Sequence, residues 1–454
     1  MKRNHELDLT TGGITGTLLR FALPFMGSSI FQFLYAVVDM IIVGQFSDSA
    51  GITAVNNSGQ VMQLVTALIC GIATGGTVLI GQYIGAKQGR QAGRTVGNMI
   101  LLFGALAAII TAAILAFGNS LVTLLQVPEE AVAPARAYLR ICGIGTVFIV
   151  GYNVVSSILR GIGDSRRPMY FITISCALNV VGDLVLVGGF GMGAAGAAIA
   201  TVFAQAVSFV VSLIALCRSG LPFPVSLRPE PVRLFRVLKV GVPVALQDVM
   251  ATLSFIIITV VVNLIGLDQS AAVGVVERLI GFSMLVPVAF MSAISVFAAQ
   301  NIGAGQPQRA KRGMWLSIGV SLLLTLVFFA AMQLVPQLLM GIFTPDPAVV
   351  AHGVLYLRTY SFDALLVCLV FCLNGFFSGC GHTGFTLFNC LFSTFVVRVP
   401  LVVLCAGIPG VTMLHIGIAA PAASLVQIIV QFIYYRTGRW SASLLTAGER
   451  GEGI

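Results

Sequence analysis

Twelve apolar stretches, most of them about twenty residues or longer, follow one another along the chain: 16–43, 54–82, 95–117, 136–159, 168–188, 193–217, 237–264, 270–300, 313–335, 352–378, 384–406 and 414–435. A helix of that length crosses hydrocarbon because it bonds its own backbone groups internally and rises about 1.5 Å per residue. No soluble core could bury so much apolar chain. Hydrophobic residues make up 57% and charged residues 9%, against about 25% charged in an ordinary soluble domain. The fold class read from this pattern is all-α and integral to a membrane.

The formal charge of +9 would suit nucleic acid if it were clustered on one soluble face. It is instead sorted by connection. The connections near 44–53, 118–135, 189–192, 265–269, 336–351 and 407–413 contain no Lys or Arg, whereas the alternate ones carry residues such as Lys87, Arg94, Arg166, Arg228, Arg309 and Arg439, joined by Lys2 and Arg3 at the start. The positive-inside rule then puts both termini in the cytoplasm, and the expected location is a bacterial inner membrane. Met1–Thr17 is polar, so no cleavable leader is expected. The nine cysteines form no CxxC pair and read as packing residues; four scattered histidines give no metal spacing. Neither an enzyme site nor a cofactor is expected, and no obligatory protein partner is evident.

The chain repeats itself at a shift of 218 residues. Gln82-Tyr-Ile-Gly-Ala-Lys-Gln88 lies over Gln300-Asn-Ile-Gly-Ala-Gly-Gln306, Tyr138-Leu139-Arg140 over Tyr356-Leu357-Arg358, and Gly161-Ile-Gly163 over Gly379-Cys-Gly381. One further residue of slippage brings Pro24 onto Pro243. Each half holds six spans, an even number, so both enter the membrane in one orientation and the repeat is parallel. The expected organisation is an N-lobe over 1–217, a linker with four prolines over 218–236 and a C-lobe over 237–454. Two such lobes suit a transporter that works by alternating access.

Ionisable side chains at membrane depth are costly and mark function by default. The N-lobe has Asp39 on its first helix and Asp183 on its fifth, with Asn179 one turn before Asp183 and Thr201 on the sixth. Counting from the helix ends puts all four at one level, about 8–13 Å below the outer surface. Two carboxylates, an amide and a hydroxyl are hard oxygen ligands suited to a proton or a small cation. The C-lobe lacks this set: at the same shift Asn179 becomes Val397 and Asp183 becomes Leu401. It has Glu277 and Arg278 on helix 8, Asp363 on helix 10 and Arg398 on helix 11, a substrate-contacting or ion-pair network of zero net charge. Gly191-Met-Gly193-Ala-Ala-Gly196 fits GxGxxG, but it falls in a tight turn between helices 5 and 6 rather than in a βαβ unit, so it is not a dinucleotide site. Gly71 and Gly75 have the spacing that lets helices approach closely.

Gln32-Phe-Leu-Tyr35-Ala-Val-Val-Asp39, Gly81-Gln-Tyr-Ile-Gly-Ala86, Leu159-Arg-Gly-Ile-Gly-Asp164, Asn179-Val-Val-Gly-Asp183 and Gly196-Ala-Ala-Ile-Ala-Thr201 resemble the multidrug and toxic compound extrusion (MATE) family, in its DinF-like bacterial branch. The resemblance implies twelve helices in two lobes and efflux of cationic, amphipathic small molecules in exchange for H⁺ or Na⁺, with no cofactor besides the coupling ion. It also implies that Asp39, Asn179, Asp183 and Thr201 form the cation cluster. The acidic residue that the NorM-like branch uses on helix 7 has no clear equivalent, since Gln247 and Asp248 lie elsewhere on that helix. A lipid or lipid-linked sugar flippase of the same superfamily is the alternative; it would line its cavity with more cations than Arg278 and Arg398. The charge-derived orientation is checked with introduced cysteines: Ser47→Cys and Ala348→Cys should react with an impermeant maleimide on intact cells, and Gln308→Cys should stay unlabelled.

Overall fold

The computed structural model describes residues 7–408, 410–441 and 443–447; Lys2, Arg3 and His5 lie outside them. Twelve helices are long and apolar enough to span a membrane: α1 Ile14–Phe46, α2 Ser49–Gly85, α3 Gly89–Leu124, α4 Glu129–Ile162, α5 Arg166–Gly189, α6 Gly193–Ser219, α7 Pro231–Asn263, α8 Leu267–Gly303, α9 Pro307–Leu334, α10 Pro347–Gly379, α11 Thr383–Ala406 and α12 Met413–Arg436. No strand occurs among the described residues. A short helix, Pro336–Gly341, stands where the sequence reads as plain connection. Proline at its first position supplies a preset φ at no cost in hydrogen bonds.

The repeated motifs turn out to be helix stops. At the end of α2, Ala86 N bonds Gln82 O at 2.9 Å, Lys87 N bonds Ile84 O at 3.0 Å and Gln88 N bonds Tyr83 O at 2.8 Å. At the end of α8 the same three bonds recur at Ala304, Gly305 and Gln306, with lengths of 2.9, 3.0 and 2.8 Å. The turn needs a left-handed residue, and Gly305 provides it at φ 69°. Lys87 holds the equivalent conformation at φ 58°, a strained choice for a side chain with a Cβ. Gly163 and Gly381 close α4 and α10 in the same way at φ 103° and 92°. These stops satisfy terminal carbonyls that would otherwise lie bare near hydrocarbon. The GxGxxG stretch is likewise a turn, with Gly191 and Gly193 at φ 65° and 52°.

The chain divides into two compact units, Met1–Asp8 with Leu23–Ala245, and Leu9–Ala22 with Leu246–Ile454. In the first, α2 and α4 form the buried centre, and α3 and α6 pack on α4 with more of their surface toward lipid. In the second, α8 and α10 take that central place, flanked by α9 and α12.

These boundaries differ from a cut at 217 and 237. Residues 9–22 belong with the second unit, because Arg309 donates to the carbonyls of Leu9, Thr11 and Gly12 at 3.3, 2.6 and 2.8 Å and Asn301 donates to Leu9 O at 3.1 Å. The linker belongs with the first. Asn98 bonds Arg228 O and Glu230 N at 3.1 and 2.7 Å, and Arg233 bonds the Gln91 side chain at 2.7 Å. From Pro231 onward the linker is already helix. Both divisions within a helix fall beside the internal prolines, Pro24 in α1 and Pro243 in α7, where a hydrogen bond is missing and a helix bends most easily.

Within the first unit α7 starts on the glycines of α2. A Cβ on Gly75 would come within 2.2 Å of Val237 O, and one on Gly71 within 2.4 Å of Ala245 Cα. Gly75→Val should therefore lower the melting temperature of the detergent-purified protein, by the about 1–3 kcal/mol typical of overpacking. Gly104→Ala, whose Cβ meets nothing within 4 Å, should leave it unchanged or raise it.

Candidate ion and substrate sites in the two units

All four N-lobe residues picked from the sequence meet in the first unit. Asp39 is seven residues from the end of α1, Asp183 six from the end of α5 and Thr201 eight from the start of α6, which is about 9–12 Å of helix in each case. Asn179 is the bridge. With its amide nitrogen toward Asp183 it donates to Oδ2 at 2.9 Å, and its oxygen accepts from Thr201 N at 3.1 Å and Oγ1 at 3.2 Å. Asp39 and Asp183 are within hydrogen-bonding reach of each other. Their Oδ1 atoms are both buried and accept from no protein donor. No Lys or Arg among the described residues forms an ion pair with either carboxylate. The result is a pocket of oxygens around two carboxyl groups, with no Lys or Arg among the described residues paired to them.

The helix geometry explains the aim of Asp183. It is the last α-helical residue of α5, and Leu184–Gly189 continues as a π-helix. A π segment shifts the residues after it by one register step and is enriched at functional sites. Asn179 and Asp183 sit one α-turn apart, so the ordinary helix stacks them, and the widened turn begins only beyond them.

Several contributors were not singled out from the sequence. Tyr35, one turn before Asp39, adjoins Thr201 and both carboxylates. Tyr138 lies close to Tyr35 and Asp39. Gln205, one turn after Thr201, has a buried Oε1 without a partner. Spacing of four from Asp39 and from Thr201 could have found Tyr35 and Gln205. Tyr138 was already visible as part of the repeated Tyr-Leu-Arg. Its counterpart Tyr356 stands beside the other unit's charges, near Arg398, Glu277 and Asp363.

In the second unit the structure joins three of the four candidates. Arg398 ends the second π segment, Ser393–Arg398. Its guanidinium lies 4.5 Å from the centre of the Phe255 ring and donates from Nη2 to Tyr360 Oη at 3.3 Å. Asp363, 4% exposed, accepts from Ser424 at 2.5 Å. Glu277 and Asp363 both feel the charge of Arg398. Arg278, the next residue along α8, is exposed and has no contact with them among the described residues. The expected zero sum is therefore corrected to two carboxylates and one guanidinium, because adjacent residues on a helix point about 100° apart.

The MatE family profile matches residues 24–185 and again 243–404. The chain belongs to the MatE family. The two matched windows start and end 219 residues apart, one residue more than the shift of the repeated motifs and the same as that from Pro24 to Pro243. The MATE chain is 29% identical over 439 residues to a probable multidrug resistance protein, YpnP, of Bacillus subtilis, covering 96% of this chain and 98% of that one. It is 27% identical over 363 residues to a protein named FAD transporter from Shewanella oneidensis, covering 77% and 78%. A solved outward-facing structure of a multidrug resistance MATE family transporter superposes with a TM-score of 0.91 at 23% identity, over 96% of this chain and 98% of that one. This is a multi-pass transporter and not an enzyme.

The Asn179 bridge has a direct test. Asn179→Leu removes the donor to Asp183 and the acceptor for Thr201, and should cost about 1–3 kcal/mol of stability, the penalty of unpaired buried polar groups. Thr201→Val should cost less, because the backbone N–H of residue 201 remains. Equal melting temperatures for wild type and Asn179→Leu would show that the bridge is not formed.

Proposed function

We propose that this MATE protein is a secondary efflux antiporter that exports cationic or amphipathic compounds in exchange for H⁺ or Na⁺. The observation that carries the proposal is the paired Asp39 and Asp183, with two buried oxygens that have no donor and no neighbouring cation. Two carboxylates in contact at membrane depth need a proton or a cation between them. Asn179 and Thr201 complete the oxygen set around that charge. Their donors are used on each other and on Asp183, which leaves the outer oxygens free for the ion.

Exchange follows from linkage. An ion drives export only if it binds one conformation of the transporter better than the other. With the basic connections cytoplasmic, the carboxylates lie nearer the outer face and load from outside. Filling them removes the negative charge that holds a cationic drug, and the bound drug weakens ion binding by the same factor. A membrane potential of 100 mV adds about 2.3 kcal/mol for each net charge carried inward. The relatives named as multidrug resistance proteins support drug export. The relative named FAD transporter supports a substrate range that is not confined to cations. A flippase is less well supported, since among the described residues Arg398 is the one guanidinium that joins the charged cluster of the second unit.

The decisive measurement is the affinity of purified protein for a permanently charged dye, titrated against pH and against Na⁺. Wild-type affinity should fall at least tenfold as the coupling ion rises. Asp39→Asn and Asp183→Asn should each lose that dependence and abolish efflux from vesicles while reaching the membrane at normal levels. A wild-type affinity flat in both titrations would rule the mechanism out.

A further inference from the structure

The second unit holds a pair of opposite charges that do not meet. Arg398 has five N–H donors, and one bond, the 3.3 Å contact to Tyr360, is all that the described residues offer them. No carboxylate oxygen lies within 4.0 Å of it. Its remaining nitrogens are absent from the buried, unpartnered atoms, so they open onto accessible space. The Glu277 carboxylate is in the same condition: it forms no ion pair or hydrogen bond with the described residues, and its oxygens are not sealed. It lies close enough to Arg398 to feel its charge. Asp363 also lies close enough to Arg398 to feel its charge, but it forms no ion pair with the guanidinium and accepts instead from Ser424.

A structural ion pair would close this gap, because opposite charges at membrane depth gain most by touching. Here the guanidinium is instead held apart, clamped against the Phe255 ring and fixed at the end of a π segment. An arginine so oriented presents a planar fork that fits a carboxylate or phosphate in two parallel hydrogen bonds.

We infer that the second unit carries a recognition site for zwitterionic aromatic substrates, with Arg398 receiving the anionic group and Glu277 the amine. This rests on the export reading above and adds to it a substrate class that the two N-lobe carboxylates alone would disfavour. A ligand carrying both signs completes both unpaired groups at once, whereas a simple cation completes only Glu277. Phe255 and Tyr360 frame the guanidinium with aromatic surface against which a ring can rest.

The test compares two fluorescent probes that differ by one carboxylate, Nε-dansyl-lysine and dansylcadaverine, binding to the full-length protein in lipid nanodiscs. Wild type should bind the zwitterion about tenfold more tightly, the value of one charge-assisted bidentate contact. Arg398→Gln should erase that ratio through loss of affinity for the zwitterion, while dansylcadaverine, no longer opposed by the guanidinium, should bind at least as tightly as in wild type. Arg398→Lys should keep part of it, and Glu277→Gln should weaken both probes together. Because the readout is a ratio between probes on one preparation, partial misfolding, which lowers both, does not imitate the result. The ion dependence of dansylcadaverine affinity is read on the same wild-type preparation, so a failure of this site is distinguishable from a failure of the N-lobe coupling. A wild type with no preference between the probes, or an Arg398→Gln variant that keeps the wild-type preference, would overturn the assignment.

Discussion

The organising constraint is that hydrocarbon solvates neither backbone amides nor charge. Helices answer the first demand, but every helix end reopens it, since four carbonyls lose their partners at each C-terminus. The matched left-handed stops after α2 and α8, and after α4 and α10, answer it with the same hydrogen bonds in both halves. This explains why these short motifs, rather than the long apolar runs between them, carry the recognisable repeat. Apolar faces accept many residues of similar volume. A left-handed turn accepts few, and Lys87 shows that it is kept even where glycine has been lost.

The same constraint governs charge. Once the backbone is settled inside helices, each ionisable side chain at depth must be balanced by a partner, a proton or a ligand. The two units balance theirs differently. In the first, Asn179 and Thr201 spend their hydrogen bonds on Asp183 and on each other, and the two carboxyl groups have no Lys or Arg among the described residues paired to them. In the second, a guanidinium lies against an aromatic ring and a tyrosine hydroxyl, with Glu277 and Asp363 in its field. The repeated Tyr138 and Tyr356 keep their station beside the charged cluster in both. Thus the scaffold is duplicated while the chemistry at its centre is not.

Much of this was legible in the sequence. Span number followed from length and apolarity, which depend on no detailed packing. Asp39, Asn179, Asp183 and Thr201 were legible because they are polar residues at one depth on three helices, and depth is fixed by the 1.5 Å rise. What escaped was the consequence of local register. The π segments at 184–189 and 393–398 have no compositional signal; the first begins directly after Asp183 and the second sets the register of Arg398. Arg278 was grouped with Glu277 because depth was counted and helix azimuth was not. The unit boundaries also escaped, because they are set by side-chain to backbone bonds across long sequence separations, Arg309 to Leu9–Gly12 and Asn98 to the linker.

Those boundaries bear on how binding could reach the rest of the molecule. The start of α1 is held by Arg309 in one unit while its later part, with Asp39, belongs to the other; α7 is shared in the opposite sense, its start seated on Gly71 and Gly75. Each shared helix carries a proline at the point of division. A change in charge at Asp39 therefore acts on a helix whose far end is anchored elsewhere, and the missing hydrogen bond at Pro24 is where strain between the two attachments collects at least cost. No matching carboxylate stands on the later part of α7 at the level of Asp39, where Phe255 is the residue in contact with the Arg398 guanidinium. On the proposed antiport reading, ion occupancy would bear on α1, and a ligand against Arg398 would bear on α7. In such an arrangement ion and substrate need not compete for the same atoms to influence one another; it is enough that each biases a helix that both units share.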